Sequence, residues 1–157
     1  MVEQSELNTS WSMVTSAEEL DRAADALAGG HGPIGVDAER ASGYTYRSNA
    51  YLVQASRRGS GTFLFDPTEI TDFSALSDAI GDEEWIFHAA SQDLACLAEI
   101  GLLPSRIFDT ELATRLLGFD RVGLGAVVER LLGISLKKAH SAADWSKPRS
   151  LTNSRPG

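Results

Sequence analysis

A single cysteine, Cys96, is all the chain contains, so no internal disulfide can form and no cysteine-based zinc site can be built. A reducing compartment fits that composition. Basic residues are also scarce, 14 Lys and Arg against 22 Asp and Glu, which leaves a formal net charge of -8. Such a surface repels a phosphate chain. It offers only local basic clusters, such as Arg57-Arg58 and Lys137-Lys138, to a binder that works by counterion release. A bound divalent cation would lift that objection and make any nucleic-acid affinity depend on the metal. No apolar run approaches a bilayer span, and Met1 to Ser10 is polar and acidic, without a signal-peptide pattern. A cytoplasmic protein with no membrane association is expected. No internal repeat is visible.

What is present is ordinary in amount and specific in arrangement. The 157 residues, 43% hydrophobic and 23% charged, suit one soluble domain with a sizeable core. An apolar run from Ile34 carries two carboxylates two residues apart, Asp37 and Glu39. In a strand both side chains leave from one face, with backbones roughly 6.5 Å apart. Two like charges held together are costly to bury unless a cation lies between them, which points to a divalent metal. The alternative is a strand that ends in ordinary solvated acids.

The remaining pattern predicts a mixed α/β chain. Trp11 to Thr15 reads as a strand, and Ser16 with Glu19 reads as the capping box of a helix that ends at Gly29-Gly30. Ile34–Glu39, Tyr51–Ala55 and Thr62–Phe65 read as an antiparallel meander, with Arg57 to Gly61 as a hairpin turn and Ala41 to Asn49 as a polar connection. Phe73, Leu76, Ala79 and Ile80 have helical spacing. Trp85 to Ala89 reads as a strand, and Ser91 as the cap of a helix running through Ile100 to Gly101. Asp93 falls in that helix's first turn, where the macrodipole favours a carboxylate, at the edge of an apolar face formed with Cys96, Leu97 and Ile100. Asp109 is most simply the N-cap of a helix containing Leu112, Ala113, Leu116 and Leu117, and Leu124 to Leu132 is a further amphipathic helix closed by Gly133. Periodicity fades from His140, and Ser146 to Gly157 has the composition of an irregular tail.

Three features stand in a definite order: Val36-Asp37-Ala38-Glu39 on a strand, His88-Ala89-Ala90-Ser91-Gln92-Asp93-Leu94 at a strand-to-helix junction, and Phe108-Asp109-Thr110 opening a helix. Together they resemble the ribonuclease D family of 3′-to-5′ exonucleases, which carry four acidic metal ligands on a ribonuclease H-like fold. The similarity extends to Tyr51-Leu52-Val53-Gln54, Leu64-Phe65-Asp66-Pro67 and Ala142-Ala143-Asp144-Trp145-Ser146, and so takes in an exonuclease domain over residues 11–147, with 148–157 an irregular tail. The resemblance implies a mixed sheet flanked by helices, with Asp37 and Glu39 matching the first motif and Asp93 the second. All three are implied catalytic metal ligands, Asp37 bridging two magnesium or manganese ions. The implied reaction is two-metal hydrolysis of RNA or single-stranded nucleic acid from a free 3′ end. All-oxygen ligands suit those hard cations better than zinc.

The chain departs from the family where a tyrosine and, four residues later, the fourth acid are expected. Lys147-Pro148-Arg149-Ser150 leads instead into Ser-Pro-rich sequence. The pattern implies an exonuclease domain lacking the C-terminal part of its fold and showing little or no turnover. The alternative is a truncated, non-catalytic remnant that at most binds metal or nucleic acid weakly. Other residues have plainer readings: His88 hydrogen-bonded to nearby backbone, Cys96 as a small buried hydrophobe, and Asp144 as a structural residue rather than a substitute ligand. Tyr44, Tyr46 and Gln54 could contact a single-stranded end, or belong to core and loop.

Overall fold

In a computed structural model residues 10–40 and 51–136 are described. The connection with Tyr44 and Tyr46, and the segment from Lys137 with His140, Asp144 and the tail, lie outside those residues. The elements are β1 (Trp11–Val14), α1 (Ala17–Ala28), β2 (His31–Arg40), β3 (Tyr51–Arg58), β4 (Gly61–Phe65), α2 (Ser74–Ile80), β5 (Glu84–Phe87), α3 (Ala90–Glu99), β6 (Arg106–Asp109), α4 (Thr110–Leu116) and α5 (Leu124–Leu132). The six strands form one sheet in the order β1-β4-β3-β2-β5-β6. Pairing is antiparallel between β2, β3 and β4 and parallel for β1 with β4, β2 with β5 and β5 with β6. The α/β mixed sheet and the meander are therefore as expected, while β6 is a strand that the sequence reading did not separate from the following helix.

Local chemistry accounts for most boundaries. The Ser16 hydroxyl accepts from Glu19 N–H at 3.2 Å and the Glu19 carboxylate accepts from Thr15 N–H at 3.3 Å, so the start of α1 is capped from both directions. Its apolar stripe, Leu20, Ala23, Ala24 and Leu27, is buried, and each of the two leucines contributes on the order of 2 kcal/mol by leaving water. Between β3 and β4, Gly59 and Gly61 take φ of 85° and 91° around Ser60, a tight reversal that side chains with a Cβ resist. The core gathers Trp85, Phe65, Phe87, Ile34, Leu76 and Leu97. A buried Arg57 closes one corner, donating to Leu27 O and Gly32 O, both at 2.8 Å, and pairing with Glu83 at 3.2 Å.

The opposite edge is different. On β6 and α4, Ile107, Phe108, Leu112, Leu116 and Leu117 are all exposed, Leu116 to 80%. The leucines whose spacing predicts α4 are present as a helix, but not as a core face.

Candidate functional site

The site arises where β2 outruns its neighbour. The parallel register of β2 with β5 pairs Ile34 with Trp85 and Gly35 with Ile86, and β5 ends at Phe87. On its other side β2 continues paired with β3, setting Asp37 opposite Gln54 and Glu39 opposite Leu52. Strand alternation sends Ile34 and Val36 into the core and leaves Asp37 and Glu39 exposed together on the other row. The chain leaving β5 turns into α3, which packs against β2. Asp93, on the first turn of α3, is buried to 8% exposure.

Asp93 therefore lies within electrostatic reach of the strand acids. Burial pushes its carboxyl up to about 7, with the charges of Asp37, Glu39 and Asp109 acting in the same direction and the Ala38 N–H partly opposing them. Asp37 is also raised by the protein atoms crowding its carboxyl, although much of the residue meets solvent, and the Ala38 N–H again offsets part of the rise. One backbone N–H between the two strand acids thus serves both carboxyls. The donor set fits a hard divalent cation in chemistry and in charge: three carboxylates, with no His or Cys among them. Its geometry is open, because among the described residues no three His, Cys, Asp or Glu side chains are gathered closely enough to hold an ion as they stand. The mutual electrostatic effect reaches farther than a coordination sphere, so proximity of charge and absence of a closed cage are compatible.

Around this trio the structure corrects two readings. Ser91 is not the cap of α3: the N-cap is Ala89, left-handed at φ 64° and ψ 61°, with no side-chain hydrogen bond of its own. The preceding strand accordingly ends at Phe87 rather than Ala89. His88 does not bond to backbone. Its Nδ1 meets Thr110 Oγ1 at 2.8 Å, and because that hydroxyl donates to Phe87 O at 3.1 Å, the ring donates from Nδ1. His88 Nε2 is buried without a hydrogen-bond partner among the described residues, 4.0 Å from Glu111 Oε2. Gln54 is exposed beside Asp37, and Cys96 is buried as expected.

Asp109 does more than the sequence suggested. It is the N-cap of α4, accepting from Glu111 N–H at 2.9 Å and Leu112 N–H at 3.3 Å, and it also accepts from Ala89 N–H at 3.1 Å and Ala90 N–H at 2.9 Å. Burial opposes its ionisation, but these four N–H groups outweigh it and hold the carboxyl below the ordinary carboxylate range. The only hint of the second role is local: Ala89 offers no capping side chain, so a buried Ala90 N–H must find its acceptor elsewhere.

A model of the 3′-5′ exonuclease family matches residues 11–155. Ribonuclease D of Gluconacetobacter diazotrophicus is 32% identical over 139 residues, which cover 85% of this chain and 35% of that protein. A crystal structure of a protein from Bifidobacterium adolescentis superposes with a TM-score of 0.80 at 43% identity, covering 88% of this chain and 34% of that one. Brucella melitensis NrnC with bound Mg2+ shares the fold, with a TM-score of 0.60 at 22% identity over 87% of this chain and 65% of its own. The chain spans 31% and 35% of the length of two ribonuclease D relatives that it matches.

Proposed function

Because the chain belongs to the 3′-5′ exonuclease family, we propose that residues 11–147 work as a metal-dependent exonuclease unit of ribonuclease D type, with 148–157 as a tail outside it. Its substrate is RNA or single-stranded nucleic acid with a free 3′ end. Asp37, Glu39 and Asp93 are the groups assigned to hold magnesium or manganese, which when bound supplies an activated water and stabilises the leaving oxygen in phosphodiester hydrolysis. The observation that carries this reading is the approach of Asp93, from the first turn of α3, to the two acids that β2 projects beyond the end of β5.

Each side chain has a derivable part. Asp37 and Glu39 are carried on paired strand backbone, so their roots are fixed relative to each other. Asp93 closes the third side from the first turn of α3, where burial and the neighbouring acids disfavour its ionised form and a bound cation would restore it. Gln54 is exposed across from Asp37, which supports a contact with an entering strand. The net charge of -8 makes nucleic-acid affinity depend on neutralisation of the acidic trio. No helix of the described residues is long and apolar enough to cross a membrane, and a cytoplasmic location belongs to the same proposal.

A second reading, binding of metal or nucleic acid without turnover, is favoured by the open arrangement of the three carboxylates. Thermal unfolding with and without millimolar manganese tests what the two readings share. The expected result is a rise in Tm that an Asp37→Ala, Asp93→Ala double variant loses, and no rise in the unsubstituted chain would remove the metal site. A 5′-labelled single-stranded RNA then separates them: manganese-dependent shortening by single nucleotides marks the enzyme, and a retarded but intact RNA marks the binder.

A further inference from the structure

The strand-to-helix junction before Asp93 is gripped from outside. Four consecutive residues, Phe87 to Ala90, are held by the adjacent pair Asp109-Thr110: Thr110 Oγ1 donates to Phe87 O and meets His88 Nδ1, and the Asp109 carboxylate takes the N–H groups of Ala89 and Ala90. The two carboxylate oxygens divide the work. Oδ1 accepts from Ala89, Glu111 and Leu112, while Oδ2 accepts from Ala90, the first residue of α3. One carboxylate thus caps two helices. It also holds the junction at Ala89, which alone among the described non-glycine residues has positive φ.

We propose that Asp109 is a positioning residue for the acidic site. By capping α3 from the β6–α4 side it fixes the first turn of that helix against β2, and with it the place of Asp93 relative to Asp37 and Glu39. The inference rests on the metal-site reading of those three acids. The helix supplies no such cap itself: its N-cap, Ala89, has no polar side chain and no side-chain hydrogen bond caps it. The parallel pairing of β5 with β6, which sets Phe87 beside Asp109, is what brings the carboxylate within reach.

Asp109→Asn is the discriminating substitution. Its Oδ1 retains the cap of α4 and the contact to Ala89, whereas its amide nitrogen cannot accept from Ala90 N–H. Binding of manganese ion to the folded chain, read from loss of the free-ion electron paramagnetic resonance signal, is expected to weaken about 10-fold or more, the range found when outer partners of metal ligands are removed. Glu111→Gln takes away a neighbouring negative charge without touching Ala89 or Ala90, and Ser16→Ala loosens a distant helix cap. Both are expected to stay within about twofold of the unsubstituted chain, well short of that effect. In metal-free protein, amide exchange at residues 90–94 is expected to speed up in Asp109→Asn and not in either control. Binding in Asp109→Asn equal to the unsubstituted chain, an equal loss in Glu111→Gln, or unchanged exchange at 90–94 would each overturn the inference. Failure of the unsubstituted chain to bind manganese overturns the metal site itself and the service of Asp109 to it, whatever the exchange rates.

Discussion

Arg57 and Asp109 each tie several elements together with one charged group, yet the two corners stand in opposite electrostatic company. Arg57 is a buried cation between two helix- and strand-end carbonyls and the Glu83 carboxylate. Every nearby partner favours its charge. Asp109 is satisfied by four N–H groups, but the acid whose helix it caps, Asp93, is repelled by Asp109 itself and by both strand acids. The first corner is stabilising in each of its contacts. The second holds acids whose ionisation burial and mutual charge disfavour, a cost that the proposed cation would offset.

The sharpest way to break the contrast is Arg57→Ala. It leaves the carbonyls of Leu27 and Gly32 without their donor and removes the ion pair to half-open Glu83, at a cost of about 3 kcal/mol, or roughly 10 °C in Tm. Chemical denaturation should report that loss, while manganese affinity measured below the transition stays unchanged. A coupled change in affinity would mean that the two corners are not independent.

A smaller effect, with a sign that identifies its source, is expected from pH in metal-free protein. Asp93 titrates near 7 in the folded chain against an ordinary value of 3.8, so the folded state holds that proton more tightly. Its stabilising contribution is complete below about pH 4 and disappears as pH rises towards and through 7. Asp37 is shifted in the same direction. Asp93→Asn should therefore raise Tm more at pH 8 than at pH 5, and added manganese should recover the unsubstituted chain at pH 8. Equal gains at both pH values would contradict the raised carboxyl.

The smallest expected effect is Ser16→Ala, which removes the side-chain acceptor for Glu19 N–H and costs about 1 kcal/mol. Tm should fall by a few degrees, and the manganese response should not change. This variant calibrates how much a lost cap alone can do, so that an excess at Asp109 is attributable to the site.

How much of this was legible beforehand follows from the range of each signal. Ser16 and Glu19 meet across three residues, the Gly59–Gly61 reversal is local, and the spacing of Asp37 and Glu39 places them on one face of any strand. The helix beginning near Asp93 was also readable. Its true cap was not, because Ser91 is a preferred capping residue and nothing nearby marks Ala89 as the left-handed start. His88 was misread for the same reason, since its partner Thr110 lies 22 residues on.

The sequence by itself therefore determined the α/β order of elements apart from β6, the antiparallel meander, the two strand acids and the helix that carries the third, all through patterns within a turn or along a strand. Tertiary structure alone decided that β2 projects beyond β5 and that Asp109 caps a second helix across 19 residues, and it put Asp93 within electrostatic reach of Asp37 and Glu39, an association that only the family resemblance had implied. It also decided that the leucines of α4 are exposed rather than buried. The physical reason is that hydrogen-bond direction and side-chain period are properties of neighbouring residues, whereas the register of parallel strands joined by helical crossovers depends on how whole elements pack.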